Sequence, residues 1–170
     1  SGLVPQSLPF GRRSFPFSAG FWITRAAFER AGPLAETLAT NSDTEYCCRL
    51  YGLGLRAWYT ATPGIVIHDH GADQSGEIGN VTHRTKAADR AASFRHIARA
   101  HRGYLARDAS AALFVHQRWL KHARRAGQTA ETAAAIAEAP RLGVKIKLTL
   151  HRLALGLFDK VDDTAPEAAT

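Results

Sequence analysis

The chain has 170 residues, 45% hydrophobic and 22% charged, a balance that excludes a disordered chain and supplies enough apolar mass for a packed core. Its net charge of +7 is uneven: residues 1–82 carry net −1, residues 83–160 net +11 and residues 161–170 net −3. No apolar run reaches the ~18 residues of a membrane-spanning helix, and no basic, apolar leader opens the chain.

A start at Ser1 and the absence of Met read as a piece of a longer product or a processed chain. The charge break predicts a boundary near residues 76–82. That gives a first unit over 1–82, a basic helical extension over 83–160 and a disordered acidic tail over 161–170.

In chain order, residues 1–19 read as loop, broken by Pro5, Pro9 and Pro16, with Phe10, Phe15 and Phe17 needing something to pack on. Arg12 and Arg13 lie in this loop. They are read as surface charges in preference to phosphate contacts. Ser18-Ala19-Gly20 before Phe21-Trp22-Ile23 suggests a close backbone approach followed by a short strand or turn. Thr24 then caps a short helix over 26–30, which Gly32-Pro33 ends.

The stretch Asn41-Ser42-Asp43-Thr44-Glu45-Tyr46-Cys47-Cys48-Arg49-Leu50 places two acids at a helix start. Ser42 with Glu45 three residues on matches a capping box, with Asp43 as the first helical residue. Tyr46, Cys47 and Leu50 make the apolar stripe, joined by Leu53, and Glu45 with Arg49 makes an i,i+4 ion pair. Asp43 shares a face with Cys47, so its carboxylate is predicted to lie above the buried stripe. Local pattern leaves two roles open for Asp43, a helix-start acid and a general base. The adjacent Cys47 and Cys48 point about 100° apart on a helix, which argues for core thiols and against a mutual disulfide.

Two strands are predicted over 55–60 and 64–68, joined around Pro63. His68 and His70 share a strand face and could hold a metal with Asp69 or Asp43. An isolated His-x-His is a weak signal, and hydrogen-bonded strand-end histidines are the commoner case.

Together, Ser18-Ala19-Gly20-Phe21-Trp22-Ile23-Thr24-Arg25, Ala31-Gly32, the 42–50 stretch, Gly54-Leu55-Arg56-Ala57 and residues 63–68 follow an order that resembles family 2 glycosyltransferases. Roughly residues 15–105 look like the second, acceptor-side half of their GT-A fold. The Asp-x-Glu-Tyr-Cys-x-Arg wording is similar to the rhamnosyltransferase and galactofuranosyltransferase branches.

The resemblance implies an α/β fold, here an α+β fragment forming the C-terminal half of a GT-A-like domain. It implies Asp43 as the catalytic base of an inverting transfer, and His68 as a ligand helping to hold a divalent cation, Mg or Mn, on the donor diphosphate. Ala19, Gly20 and Trp22 would line the substrates, and Ser42, Glu45 and Arg49 would be structural at the site.

The partners implied are a nucleotide-sugar donor and a glycan or lipid-linked acceptor, met in the cytoplasm at the inner face of the membrane. Two features depart from the family. Ser42 stands where an acid usually precedes the base, and no βαβ opening or Asp-x-Asp motif precedes Ser18. A nucleotide-binding half would have to come from a preceding region or another chain.

Beyond residue 82 the pattern is helical. One helix is predicted over 82–102 with Phe94 and Ile97 as large buried residues, and another from Asp108 to Gly127 burying Ala112, Val115, Trp119 and Ala123. A third runs over 129–139. A last helix carries Ile146, Leu150, Leu153 and Leu157 as its stripe, although residues 144–150 also alternate like a strand. Lys145, Lys147 and Arg152 flank this apolar face, which suits a membrane surface. The basic charge also permits nucleic acid, but aromatics are not interleaved with it as a stacking platform requires, and a simply solvated basic face is read slightly ahead of the membrane surface.

Three classes follow: the acceptor-side part of a glycosyltransferase, a non-catalytic remnant or partner subunit with that fold, and a basic helical binding module.

Overall fold

The structure, a computed structural model, describes residues 1–14, 21–60, 62 and 85–158. Within them the chain forms β1 (Gly2–Leu3), α1 (Phe10–Arg13), α2 (Arg25–Ala31), α3 (Ser42–Gly52), β2 (Trp58–Tyr59), α4 (Ala87–Ala100), α5 (Arg102–Arg107), α6 (Ala109–Arg125), α7 (Thr129–Ala137) and α8 (Leu142–Phe158). The molecule is mostly helical with a two-stranded sheet, α+β in the broad sense.

Helix α6 takes the centre because it is apolar over two adjoining faces. Ala111, Ala112, Val115, Trp119, Leu120 and Ala123 are buried, and α1, α4, α5, α7 and α8 all pack around it. Its start is fixed by Asp108, whose side chain accepts from the Ala111 N–H at 3.0 Å. Its end is fixed by Gly127, at φ 67°, which turns the chain into α7 with no side chain to resist. Trp119 is fully buried, and its indole N–H donates to Glu131 of α7 at 3.0 Å.

The N-terminal elements share this core. Phe10 of α1 and Cys47, Cys48 and Tyr51 of α3 join Phe94, Ile97 and Trp119 in one buried cluster. The change from acidic to basic composition is a change of surface, and the core runs across it.

Arg13 departs from its expected surface position: it is only 3% exposed. It forms an ion pair with Asp108, and its Nε donates to the Leu8 carbonyl at 3.0 Å. The guanidinium lies over the rings of Phe10 and Tyr51, 5.5 and 4.9 Å from their centroids, and the Tyr51 hydroxyl donates to the Arg13 carbonyl. Burial works to lower the Arg13 pKa, but the hydrogen bond to Asp108, then Tyr104 and the Asp108 charge, outweigh it and the net direction is upward. This buried pair explains why the proline-rich opening contains an ordered turn. Its partner lies 95 residues away, so no local pattern announces it. Arg12 is exposed, as expected.

A smaller cluster of Ala31, Tyr46 and Leu50, covered by Phe21, Ile23 and Leu55, joins α2 to the other side of α3. Helix α2 begins as predicted, with the Thr24 hydroxyl accepting from the Ala27 N–H at 3.2 Å. Residues 21–24 belong to no helix or strand. Of the strand predicted over 55–60, Trp58–Tyr59 pairs antiparallel with β1, in the register Gly2 to Tyr59 and Leu3 to Trp58. The strand predicted over 64–68 and the tail over 161–170 lie outside the described residues.

The last helix forms, and it buries the face opposite the predicted stripe. Val144 and Leu148 are buried, whereas Ile146, Leu150 and Leu153 of the predicted stripe are 53%, 61% and 61% exposed.

Candidate functional site

Helix α3 is buried on nearly every side, with Thr44, Glu45, Tyr46, Cys47, Cys48, Leu50 and Tyr51 all inside. Its first turn therefore presents few groups outward, and these are Asn41, Ser42 and Asp43.

The predicted capping box does not form. Asn41 is the N-cap residue, in the left-handed region at φ 60°, and no side chain caps the helix. Ser42 is the first helical residue, and the Glu45 N–H bonds the Asn41 carbonyl at 3.0 Å. The Glu45 carboxylate points elsewhere because two stronger, charge-capable partners hold it. Arg49 donates to its Oε1 from Nε at 3.1 Å and to its Oε2 from a terminal nitrogen at 2.5 Å, and His101 Nε2 lies 2.8 Å from the same Oε1. Arg49 also donates to the carbonyls of Ala31 and Pro33, at 3.0 and 2.6 Å. The Glu45–Arg49 pair thus ties α2, α3 and the junction of α4 and α5 together. Burial works to raise the Glu45 pKa, but His101 and Arg49 outweigh it and the net direction is downward.

Asp43 is in a different condition. It is half-buried, and its Oδ1 accepts from the Thr44 N–H at 2.6 Å. No ion pair reaches it among the described residues. Burial raises its pKa, against the opposing hydrogen bonds of Thr44 and its own backbone. A partly desolvated carboxylate with no cation beside it is suited to accepting a proton. Two residues back, the Asn41 side-chain amide is buried and has no hydrogen-bond partner among the described residues. The helix start thus carries an amide donor without a hydrogen-bond partner among the described residues, two positions before a carboxylate whose Oδ1 is bonded to the adjacent backbone N–H. Below them lie the Cys47 and Cys48 thiols, both fully buried and not joined to each other.

Of the other candidate residues, Trp22 is 91% exposed, beside Phe21 and Ile23, which pack on α2 and α3. Ala19, Gly20 and His68 lie outside the described residues. Among the described residues, no group of three His, Cys, Asp or Glu comes together as a metal site. Grooves lined by described residues lie elsewhere, and Asp43 lines neither of the two that follow. One, of about 310 Å³, lies among Arg99, Arg102, His116 and Glu138. The other, of about 290 Å³, lies between the starts of α6 and α8.

Sequence reasoning missed Asn41 and His101. Asn is enriched among residues with positive φ, so Asn41 before a helix-start acid carried a usable signal. His101 reaches Glu45 across 56 residues, with no local trace.

No family model matches this sequence, and no curated protein or solved structure is significantly similar to it.

Proposed function

We propose that this chain forms the acceptor-side part of an inverting glycosyltransferase, with Asp43 as the base that takes the acceptor hydroxyl proton. The observation that carries the reading is the contrast at the start of α3. Glu45 is buried and fully engaged by Arg49 and His101, whereas Asp43 is half-buried, raised in pKa and without a cation among the described residues.

In the proposed step, the acceptor oxygen attacks the anomeric carbon of a nucleotide-sugar, its proton passes to Asp43, and the nucleoside diphosphate leaves from the opposite face. The Asn41 amide, buried and without a hydrogen-bond partner among the described residues, would donate to a sugar or acceptor oxygen at the same helix start. A divalent cation, Mg or Mn, would offset charge on the leaving diphosphate. The described residues offer no three-ligand set for it, so His68 would share it with ligands from the nucleotide-binding half.

The exposure of Trp22 at 91%, Trp58 at 73% and Tyr59 at 55% supports a further protein surface on the N-terminal side, where such a half would dock.

The test is sugar transfer by the complete enzyme that contains this chain, comparing wild type with Asp43→Asn. A fall in kcat of about 10²–10⁴-fold with unchanged thermal unfolding is expected. Wild-type turnover in the variant removes the assignment.

A further inference from the structure

Helix α8 is apolar on two opposite faces. Val144 and Leu148 are buried inward, and the other side presents Leu142, Ile146, Leu150 and Leu153, which are 74%, 53%, 61% and 61% exposed. These four positions recur at helical spacing and make one continuous stripe about 16 Å long. Scattered surface leucines are ordinary, but an unbroken row along a single helix is not.

The charge around the stripe has one sign. Residues 139–158 contain Arg141, Lys145, Lys147 and Arg152 and no Asp or Glu. On a helical projection Lys145 and Arg152 run along one edge of the stripe, and Lys147 and His151 lie beyond the other. The groove between the starts of α6 and α8 adds Arg141 and Lys147 around an apolar floor of Leu113 and Val144.

We infer that α8 lies flat on an anionic lipid bilayer, with Leu142, Ile146, Leu150 and Leu153 entering the headgroup boundary and Arg141, Lys145, Lys147 and Arg152 meeting lipid phosphates. The occupant is chosen by charge. A second copy docked stripe to stripe would set unrelieved cations against cations, since α8 carries no acid to answer them. A bilayer with acidic headgroups answers both features at once, taking apolar side chains in its interior and cations at its surface. Long Lys and Arg side chains can reach headgroups while their stems cover apolar surface. At 17 residues α8 is no membrane span, so the contact is interfacial.

The experiment is co-sedimentation of the 170-residue chain with vesicles of phosphatidylcholine alone and with ~30% phosphatidylglycerol, at low and at high salt. Binding to the anionic vesicles is expected, with at least a tenfold preference over neutral ones and a marked fall at high salt. Each basic side chain at the surface contributes roughly a fivefold factor. Ile146→Glu with Leu150→Glu is expected to remove binding while leaving helicity and Tm unchanged, because both side chains are already in water.

Equal binding to both vesicle types, or none to either, overturns the inference. So does a loss of Tm in the double variant, which would show that protein covers the stripe. A dimer by light scattering that the double variant makes monomeric would assign the stripe to a second copy instead.

Discussion

At the start of α3, two acids two residues apart are pushed in opposite directions, and stability should record the difference. The Glu45 pKa is lowered in the folded state, so its contribution is present above the ordinary carboxylate range and is lost as pH falls through the folded value. The Asp43 pKa is raised, so its ionised form weighs against folding at neutral pH. Glu45→Ala is therefore expected to cost about 3–5 kcal/mol in urea unfolding, since Arg49 and His101 lose their shared partner. Asp43→Asn is expected to be neutral or slightly stabilising at pH 7; a loss comparable to that of Glu45→Ala would mean Asp43 has a structural partner. His122 offers a second reading. Burial first, then Arg90, Lys121, Arg125 and Arg118, push its pKa down to about 4. Its stabilisation is complete above pH ~6.5 and drains away toward pH 4. His122→Phe, which can keep the stack on Phe94, should flatten that limb of the pH–stability curve. The i,i+4 partnership of Glu45 with Arg49 was legible from spacing. Its extension to His101, which costs the helix its capping box, was not, because it depends on where another helix ends.

Among the elements, α6 bears the most. Trp119→Ala is expected to cost about 3–5 kcal/mol by chemical denaturation, through the cavity left among α4, α6 and α7 and the loss of the bond to Glu131. Trp119→Phe should lose less, since most of the ring volume stays. If Trp119→Ala cost under ~1 kcal/mol, α6 would not be the central support described here. Apart from α5, which fills the gap left between two predicted helices, the helices over 85–158 could be read from the sequence because periodicity and end signals agree, as at Asp108, Gly127 and Thr129. The orientation of α8 could not. Its residues are apolar on both sides, so hydrophobicity alone leaves two answers, and packing on α6 and α7 selects Val144 and Leu148. Arg13 fails for the mirror-image reason: a charge is ordinarily outside, and its burial rests on Asp108, Phe10 and Tyr51 arriving from other elements.

For the whole molecule, the shared cluster of Phe10, Cys47, Cys48, Tyr51, Phe94, Ile97 and Trp119 has a thermodynamic meaning. Elements on both sides of the charge break contribute to one core, so they should melt together. Urea transitions followed by tryptophan fluorescence and by far-ultraviolet circular dichroism are expected to coincide, with a single midpoint. Two separated midpoints would show that the charge break is also a folding boundary. Composition registers a difference between surfaces, whereas cooperativity follows contacts, and contacts between residue 10 and residue 114, 5.1 Å apart at their ring centres, leave no mark on local composition.

The paired thiols of α3 carry a practical consequence. Cys48 is held well above its ordinary pKa by burial, and both side chains are fully covered, so alkylating reagents cannot reach either sulfur in the folded chain. Reaction has to wait for α3 to lift away from α4 and α5. The ratio of native to unfolded labelling rates therefore reads out the opening equilibrium of that helix without any added probe. Asp43 rides on the same helix, so the same stopwatch times the moments when the candidate site is dismantled, and a ligand that holds the site together should slow it.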